Sequence, residues 1–354
     1  MEERTMSDRI TLRRFDDMHC HFRIGPIMID VVPFTARYAG RATVMPNTRP
    51  RAILTGKDVI WYRDHLLRLL NGMKLAGMSV LEPLMTIEIR DNTTPKMIVE
   101  AKRAGAIAGK VYPLGVTTNS DEGLRDFSGK KILETFRAMQ DVGMLLLLHG
   151  EIDQERTLVT KREEAFLPTL LWLAERFLDL KIVLEHVSTR SGVQTVERLG
   201  KNVAATITVH HLCLTLNDII GYGVQPHNAC NPMPKDFEDR DVLIQAATSG
   251  NAKFFLGSDT APHLREKKEC AKGACGVFTA PVLPAVLAEV FERAGKLDRL
   301  EDFTSRFGAE FYGLPLNEGT ITLVKKEWIV PEQIGGVVPF RAGTKLRWQL
   351  LREE

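Results

Sequence analysis

No stretch of the 354 residues stays apolar for the roughly 18 positions that a bilayer-spanning helix needs, so a spanning segment is not expected. Excess charge is also missing. Lys and Arg number 47 against 45 Asp and Glu, a net charge of +2, and no long basic run is interleaved with aromatics. Neither nucleic acid nor a membrane surface is therefore an expected partner. The five cysteines (Cys20, Cys213, Cys230, Cys270 and Cys275) contain no CxxC pair and cannot all pair within one chain. That favours a reducing compartment, with the cytoplasm as the default. Met1 to Arg14 mixes acids and bases and lacks the apolar core of a signal peptide. No Gly-x-Gly-x-x-Gly follows the first strand pattern, which counts against a dinucleotide-binding open sheet. No Ser/Gly/Pro-rich linker marks a boundary. Residues 1–354 are expected to form one domain, with 316–354 as a C-terminal extension packed on it.

What is present is an alternation of apolar runs and amphipathic segments. Strands are expected at Arg14–Phe22, Arg41–Met45, Met78–Ile87, Ala106–Tyr112, Met144–His149, Lys181–His186, Asn202–Thr208 and Lys253–Gly257. Several, such as Met144 to Leu148, are nearly continuous apolar runs, the pattern of parallel strands buried on both faces. Helices are expected between them at Asp58–Leu70, Pro95–Ala104, Lys130–Asp141, Glu163–Phe177, Thr189–Leu199 and Arg240–Ser249, with more near Pro281–Ala294 and Leu300–Phe307. Gly105, Gly143, Gly200 and Gly250 stand where left-handed caps end helices. Eight β-then-α units predict a (β/α)8 TIM barrel of the α/β class, followed by a tail of mixed character from Leu316.

Chemically able residues fall at the ends of these strands, where barrel enzymes carry their active sites. His19 and His21 are two apart on the first strand, so they share a face, and Arg23 follows two residues later. His149 ends the fifth strand, His186 ends the sixth, and Asp259 follows the eighth. Taken singly, each has a plainer reading: a loop histidine, a surface pair with Glu185, a helix cap in Ser258-Asp259-Thr260. Lys110 lies inside the fourth strand, where a buried lysine is costly unless paired or modified. Together the set suits zinc or a similar divalent ion. Two ions about 3.5–4 Å apart need a bridging ligand, and a neutral lysine amine can supply one by reacting with carbon dioxide to form a carbamate. Burial would have to lower the amine from its usual pKa of about 10.4.

The stretches Asp17–Arg23, Val44–Asn47, Lys110–Pro113, Thr117–Ser120, Leu148–Glu151, Glu185-His186, Ala205–Thr208 and Gly257–His263 with Lys268 downstream, and also Phe311–Pro315, carry a family pattern. Over roughly Arg14 to Tyr312 the chain resembles dihydroorotases of the amidohydrolase superfamily, in their shorter bacterial-type class. The resemblance implies two Zn2+ per subunit. One would be bound by His19, His21, carbamylated Lys110 (N6-carboxylysine) and Asp259, the other by the same carbamate, His149 and His186, with a hydroxide between them. It implies reversible cyclisation of N-carbamoyl-L-aspartate to L-dihydroorotate and water, a step of pyrimidine biosynthesis, with Asp259 as the catalytic proton shuttle. Arg23, Asn47 and His263 would recognise the substrate carboxylate. Thr117 and Thr118 would lie on a loop that closes over carbamoyl aspartate, and Asn231 and Cys275 would add substrate contacts. A homodimer is implied as well.

Three positions depart from the family pattern. Cys20 stands between the histidines where an aliphatic residue is expected, Ile24 follows Arg23 where an acid is common, and Asn231 replaces a larger apolar residue. Two rival readings remain. A dihydropyrimidinase- or hydantoinase-like enzyme would share the metal centre but lack the Arg23 and Asn47 pair. A metal-free structural homologue would have lost ligands that are all present here.

Overall fold

A computed structural model of the chain describes residues 8–76 and 78–351. Its centre is an eight-stranded parallel sheet whose strands follow one another in chain order. After an N-terminal strand β1 (Arg9–Arg13), the barrel runs through β2 (Phe15–Cys20), β3 (Ala39–Val44), β4 (Glu82–Ile89), β5 (Ala106–Val111), β6 (Leu145–His149), β7 (Ile182–Glu185), β8 (Val203–Ile207) and β9 (Phe254–Leu256). The helices are α1 (Ile27–Tyr38), α2 (Gly56–Leu75), α3 (Pro95–Arg103), α4 (Lys130–Asp141), α5 (Arg162–Arg176), α6 (Arg190–Arg198), α7 (Asn217–Ile220), α8 (Phe237–Thr248), α9 (Arg265–Lys268), α10 (Leu283–Arg293) and α11 (Phe307–Tyr312). The fold is the expected (β/α)8 barrel.

Local chemistry starts the helices where it should. Thr55 and Asp58 form a reciprocal capping box for α2. Thr94 caps α3 with Pro95 at its first position, Thr189 caps α6 and Asp236 caps α8. Gly105, Gly143 and Gly250 have positive φ, as their positions predicted. Gly200 does not; α6 ends instead on extended Leu199.

Side-chain alternation sorts the sheet into two cores. Met18, Ala108, Leu145, Leu147, Val183, Ala204 and Phe255 fill the barrel, and Phe307 and Tyr312 pack among them. Leu146, Leu148, Ile182, Leu184, Val203, Ala205, Phe254 and Leu256 face the helices. The register of β2 against β3 slips between Asp17 and Cys20, so the inward phase passes from Met18 to His19 and His21. Cys20 then points outward into the helix-facing core. Closure of β9 onto β2 comes from Asp259 N–H donating to His19 O (2.9 Å) and His21 N–H donating to Thr260 O (3.0 Å).

Two segments differ from the sequence expectation. Residues 27–38, read as a connection, form α1 with Pro33 inside it. The mixed tail forms β10 (Thr320–Ile329) and β11 (Lys345–Leu350), which join β1 in an antiparallel sheet of order β1-β10-β11. The N-terminal segment therefore contributes a strand from Arg9, while Met1 to Met6, Ser7 and, at the other end, residues 352–354 lie outside the described residues. The last expected helix is a π-type turn at Asp302–Arg306 running into α11. No helix among the described residues is long and apolar enough to cross a membrane.

The extension is tied to α10: Arg347 N–H donates to Glu289 (2.7 Å), Trp348 Nε1–H donates to Glu292 (3.2 Å), and the Trp348 ring is fully buried. Trp348→Ala is expected to cost about 3–5 kcal/mol of stability, read as a lowered urea midpoint.

Candidate active site

The C-terminal ends of β2, β5, β6, β7 and β9 deliver one buried cluster. His19 Nε2, His21 Nε2 and Asp259 Oδ1 lie 3.1–3.4 Å from one another. The three can hold a metal ion between them. Beside them the His186 ring sits 5.1 Å from that of His19 and 4.7 Å from that of His149, centroid to centroid. Lys110 is wholly buried, its Nζ without a hydrogen-bond partner, and His186 Nδ1 is likewise unpartnered.

Two of the rings are aimed by carboxylates outside the cluster. Glu185 accepts from His19 Nδ1 and from Thr206 Oγ1, both at 2.7 Å. Glu151 lies 2.7 Å from His149 Nε2. Carboxylate support of this kind fixes tautomer and orientation in metal-binding histidines. Neither glutamate was assigned a role from the sequence, although both stand within the stretches that carry the family pattern.

The backbone does part of the aiming. By strand alternation Val183 and Glu185 face inward, so His186 would face the helices. It turns inward because its φ is +43°. Asp259 (φ +44°) and Arg23 (φ +63°) are also left-handed. Such conformations are uncommon for residues with a Cβ and collect at functional sites. Arg23 thus reaches the site through a turn, not through continued alternation of β2.

The turn after His186 is held by buried Glu163 on α5. It accepts from the backbone N–H and hydroxyl of both Ser188 and Thr189 at 2.5–3.0 Å. Opposite, Asp17 accepts from Ser258 N–H (2.8 Å) and Tyr38 OH (2.9 Å), tying the β9 loop to β2. Glycine is required at Gly257 because a side chain there would collide with Thr206 and His19.

Burial sets the protonation states. It pushes His21 down to about 4 despite the Asp259 carboxylate. It also lowers His149 against the pull of Glu151, and lowers His186 further beside His149, Lys110 and His19. Lys110 is pushed down to about 8 by burial, with Glu185 and Asp259 opposing. Burial alone would raise Asp259 and Glu185. His19 and further neighbours, among them His21 at Asp259 and Lys110 at Glu185, together outweigh it, and both end below their ordinary range. Neutral imidazoles and ionised carboxylates are the forms that bind metals. With unpartnered Lys110 Nζ and His186 Nδ1 beside them, the donor set fits a divalent centre.

A cavity of about 350 Å³ opens over this cluster. It is lined by His19, His21, His149, His186 and Asp259 and also by Arg23, Asn47, Thr117, Thr118, Asn231 and Cys275. Lys110 and His263 are not among its lining residues. Tyr112, Ala261 and Gly276 are, and were not assigned roles from the sequence. His263 Nε2 lies 3.0 Å from both Arg23 Nη2 and Cys275 O, so its neutral ring either accepts from the guanidinium or donates to the carbonyl. The loop carrying Thr117 and Thr118 is docked over the opening. Asn47 donates to Thr118 O (3.1 Å), Thr118 Oγ1 donates to Cys275 O (3.3 Å) and Asn231 donates to Val116 O (3.3 Å). Asn231, the residue that departs from the family pattern, thus holds the loop by its side chain.

Glu163→Ala would leave four donors without their acceptor. It is expected to cost at least about 2 kcal/mol in urea unfolding.

No family model matches the chain. A dihydroorotase of Vibrio vulnificus is 46% identical over 347 residues, covering 96% of this chain and 99% of the relative. Among solved structures, dihydroorotase of Saccharomyces cerevisiae in complex with 5-fluoroorotic acid is 36% identical with a TM-score of 0.87, covering 98% of this chain and 99% of that one. Dihydroorotase of Campylobacter jejuni gives the same identity and TM-score over 98% of both chains. Sequence likeness over nearly the whole length, on a barrel that gathers the residues described above at one end, makes this chain a member of the dihydroorotase family.

Proposed function

We propose that the chain interconverts N-carbamoyl-L-aspartate and L-dihydroorotate at a binuclear metal centre, the cyclic-amide step of pyrimidine biosynthesis. One observation carries this reading: a single cavity is lined both by imidazoles with a carboxylate and by a half-buried guanidinium with an amide. The first set suits amide chemistry and the second suits a carboxylate held away from the reacting bond. A hydantoinase-type substrate, which lacks that carboxylate, gives Arg23 nothing to pair with. A metal-free role is disfavoured by the complete donor set.

In this reading His19, His21 and Asp259 would hold one Zn2+ and His149 and His186 a second, with Lys110 as a carbamate supplying further oxygen ligands. When bound, such ions supply Lewis-acid polarisation of an amide carbonyl and a nucleophile from water near neutral pH. Glu185 and Glu151 keep the His19 and His149 rings in the ligating tautomers. Asp259, ionised and on a left-handed turn, takes the proton of the attacking water and passes it to the leaving ring nitrogen. In the cyclising direction it acts in the reverse order. Arg23, Asn47 and His263 orient the carboxylate. Thr117 and Thr118, with Asn231 and Cys275, keep water out while the amide forms. The same reading extends to a single hydrolase domain over the full length, a homodimer and a cytoplasmic location. Sedimentation of the purified protein would test the dimer.

The deciding experiment is turnover. Purified, zinc-loaded protein is expected to interconvert the two compounds, and absence of turnover in both directions would sink the reading. Asp259→Asn should lower kcat by about 10²–10⁴-fold with its fold retained. Removing metal with a chelator should abolish activity, and adding zinc with bicarbonate should restore it. Only the neutral amine of Lys110 can form a carbamate. Carbamate formation also releases a proton, so at fixed dissolved carbon dioxide and low occupancy labelled carbamate on the metal-free protein should rise about a hundredfold per pH unit below a pKa of about 8 and about tenfold per unit above it, until the site fills. NMR with isotopically labelled bicarbonate reads this directly.

A further inference from the structure

Lys268 belongs to the quoted family pattern, yet the reaction as written gives it no role. It sits on α9 and is 96% buried, with a relative exposure of 4%. Its Nζ donates to two backbone carbonyls, Ala229 O at 3.2 Å and Gly276 O. Among the described residues no carboxylate lies within ion-pair distance of it. A buried ammonium without a counter-charge is expensive, and carbonyl partners offset only part of the cost.

Its two partners are not arbitrary. Ala229 is two residues before Asn231, and Gly276 follows Cys275; Gly276 N–H also donates to Ala229 O (2.8 Å). Lys268 therefore stitches together the two segments that bind the loop over the cavity, through Asn231 to Val116 O and through Cys275 O to Thr118. Cys275 O is also the acceptor within reach of His263. At the same end half-buried Arg23 donates to Pro262 O and lies 3.0 Å from His263 Nε2, while Tyr62 OH donates to its backbone carbonyl. The charges of Arg23 and Lys268 reach each other and both act on His263. Among the described residues neither cation has a carboxylate in ion-pair contact, the acid whose charge reaches Arg23 being Asp259 of the metal end, whereas Asp259 itself is already matched to His19 and His21. That imbalance is what an anionic ligand would neutralise.

We propose that Lys268 is a specificity-determining positioning residue: its buried charge, standing behind Arg23 and His263, holds the substrate's carboxylate without touching it, and its bonds to Ala229 and Gly276 fix the two segments around that carboxylate. This rests on the dihydroorotase reading of the cavity. Burial brings the ammonium down only to about 8, so it remains charged at neutral pH.

The test uses two variants of the metal-loaded protein. Lys268→Gln keeps a donor for the carbonyls but loses the charge; Lys268→Met loses both. Calorimetry with 5-fluoroorotic acid, the ring carboxylate held in the yeast relative's structure, reads binding without turnover. Both variants are expected to bind it at least tenfold more weakly than the parent, with metal content unchanged. In turnover, KM for dihydroorotate should rise at least tenfold while kcat falls less than threefold. Raising ionic strength should weaken binding less in Lys268→Gln than in the parent. Parent-like affinity for 5-fluoroorotic acid in Lys268→Gln overturns the proposal, as does a loss carried by kcat with KM unchanged. Should the methionine variant fail to fold, the glutamine variant decides alone. Absence of turnover in the parent itself would count against the reaction, whereas the calorimetric comparison speaks only to Lys268.

Discussion

The closure of β9 onto β2 is the contact on which the site depends. A parallel barrel must satisfy the edges of its first and last strands, and here it does so at the end that carries the chemistry. Asp17 is buried under that seam and accepts from Ser258 and Tyr38. Asp259 and His21 exchange backbone hydrogen bonds with the opposite strand across it. The seam brings His19, His21 and Asp259 within 3.4 Å of one another although about 240 residues separate them in the chain. The slip of register in β2 belongs to the same device, because it turns both histidines inward on a strand that had been filling the barrel with Met18.

Burial then prepares the chemistry. In a low-dielectric site the charged form of any group must be stabilised by a neighbour or be given up. His21, His149 and His186 are pushed toward the neutral imidazole, and Lys110 comes within reach of the neutral amine. The carboxylates keep their charge because imidazoles face them. Around Arg23 the balance differs: among the described residues neither it nor buried Lys268 has a carboxylate in ion-pair contact, which suits a ligand that brings a carboxylate of its own.

Much of this barrel could be read in the sequence. All eight of its strands were expected within a few residues of where they lie, since strands buried on both faces are continuous apolar runs. Lys130–Asp141 was placed to the residue, bounded by Gly129 and Gly143. The longest helix missed inside the barrel, α1, carries Pro33 and follows Pro26, both of which read as turn signals; Pro26 at the helix start loses little, whereas Pro33 lies in the interior, where a proline ordinarily ends a helix. The sheet β1-β10-β11 was missed for a different reason. It pairs the chain's two ends across about 310 residues, and neither end has an apolar run of its own to betray it.

By itself the sequence determined the fold class and the residue types at the strand ends, because strand and helix periodicities are local and each unit repeats them. It also placed His19 and His21 on one face, because alternation is a property of one strand, and put His149 at a strand end. Only the tertiary structure decided that His186 faces inward against its strand's alternation, and that Glu185 and Glu151 aim the rings. The same holds for Arg23 arriving by a left-handed turn and for Lys268 standing behind the carboxylate end. Each of these depends on a non-local partner or on a backbone angle held by its surroundings. Such a constraint exists only once the barrel has closed.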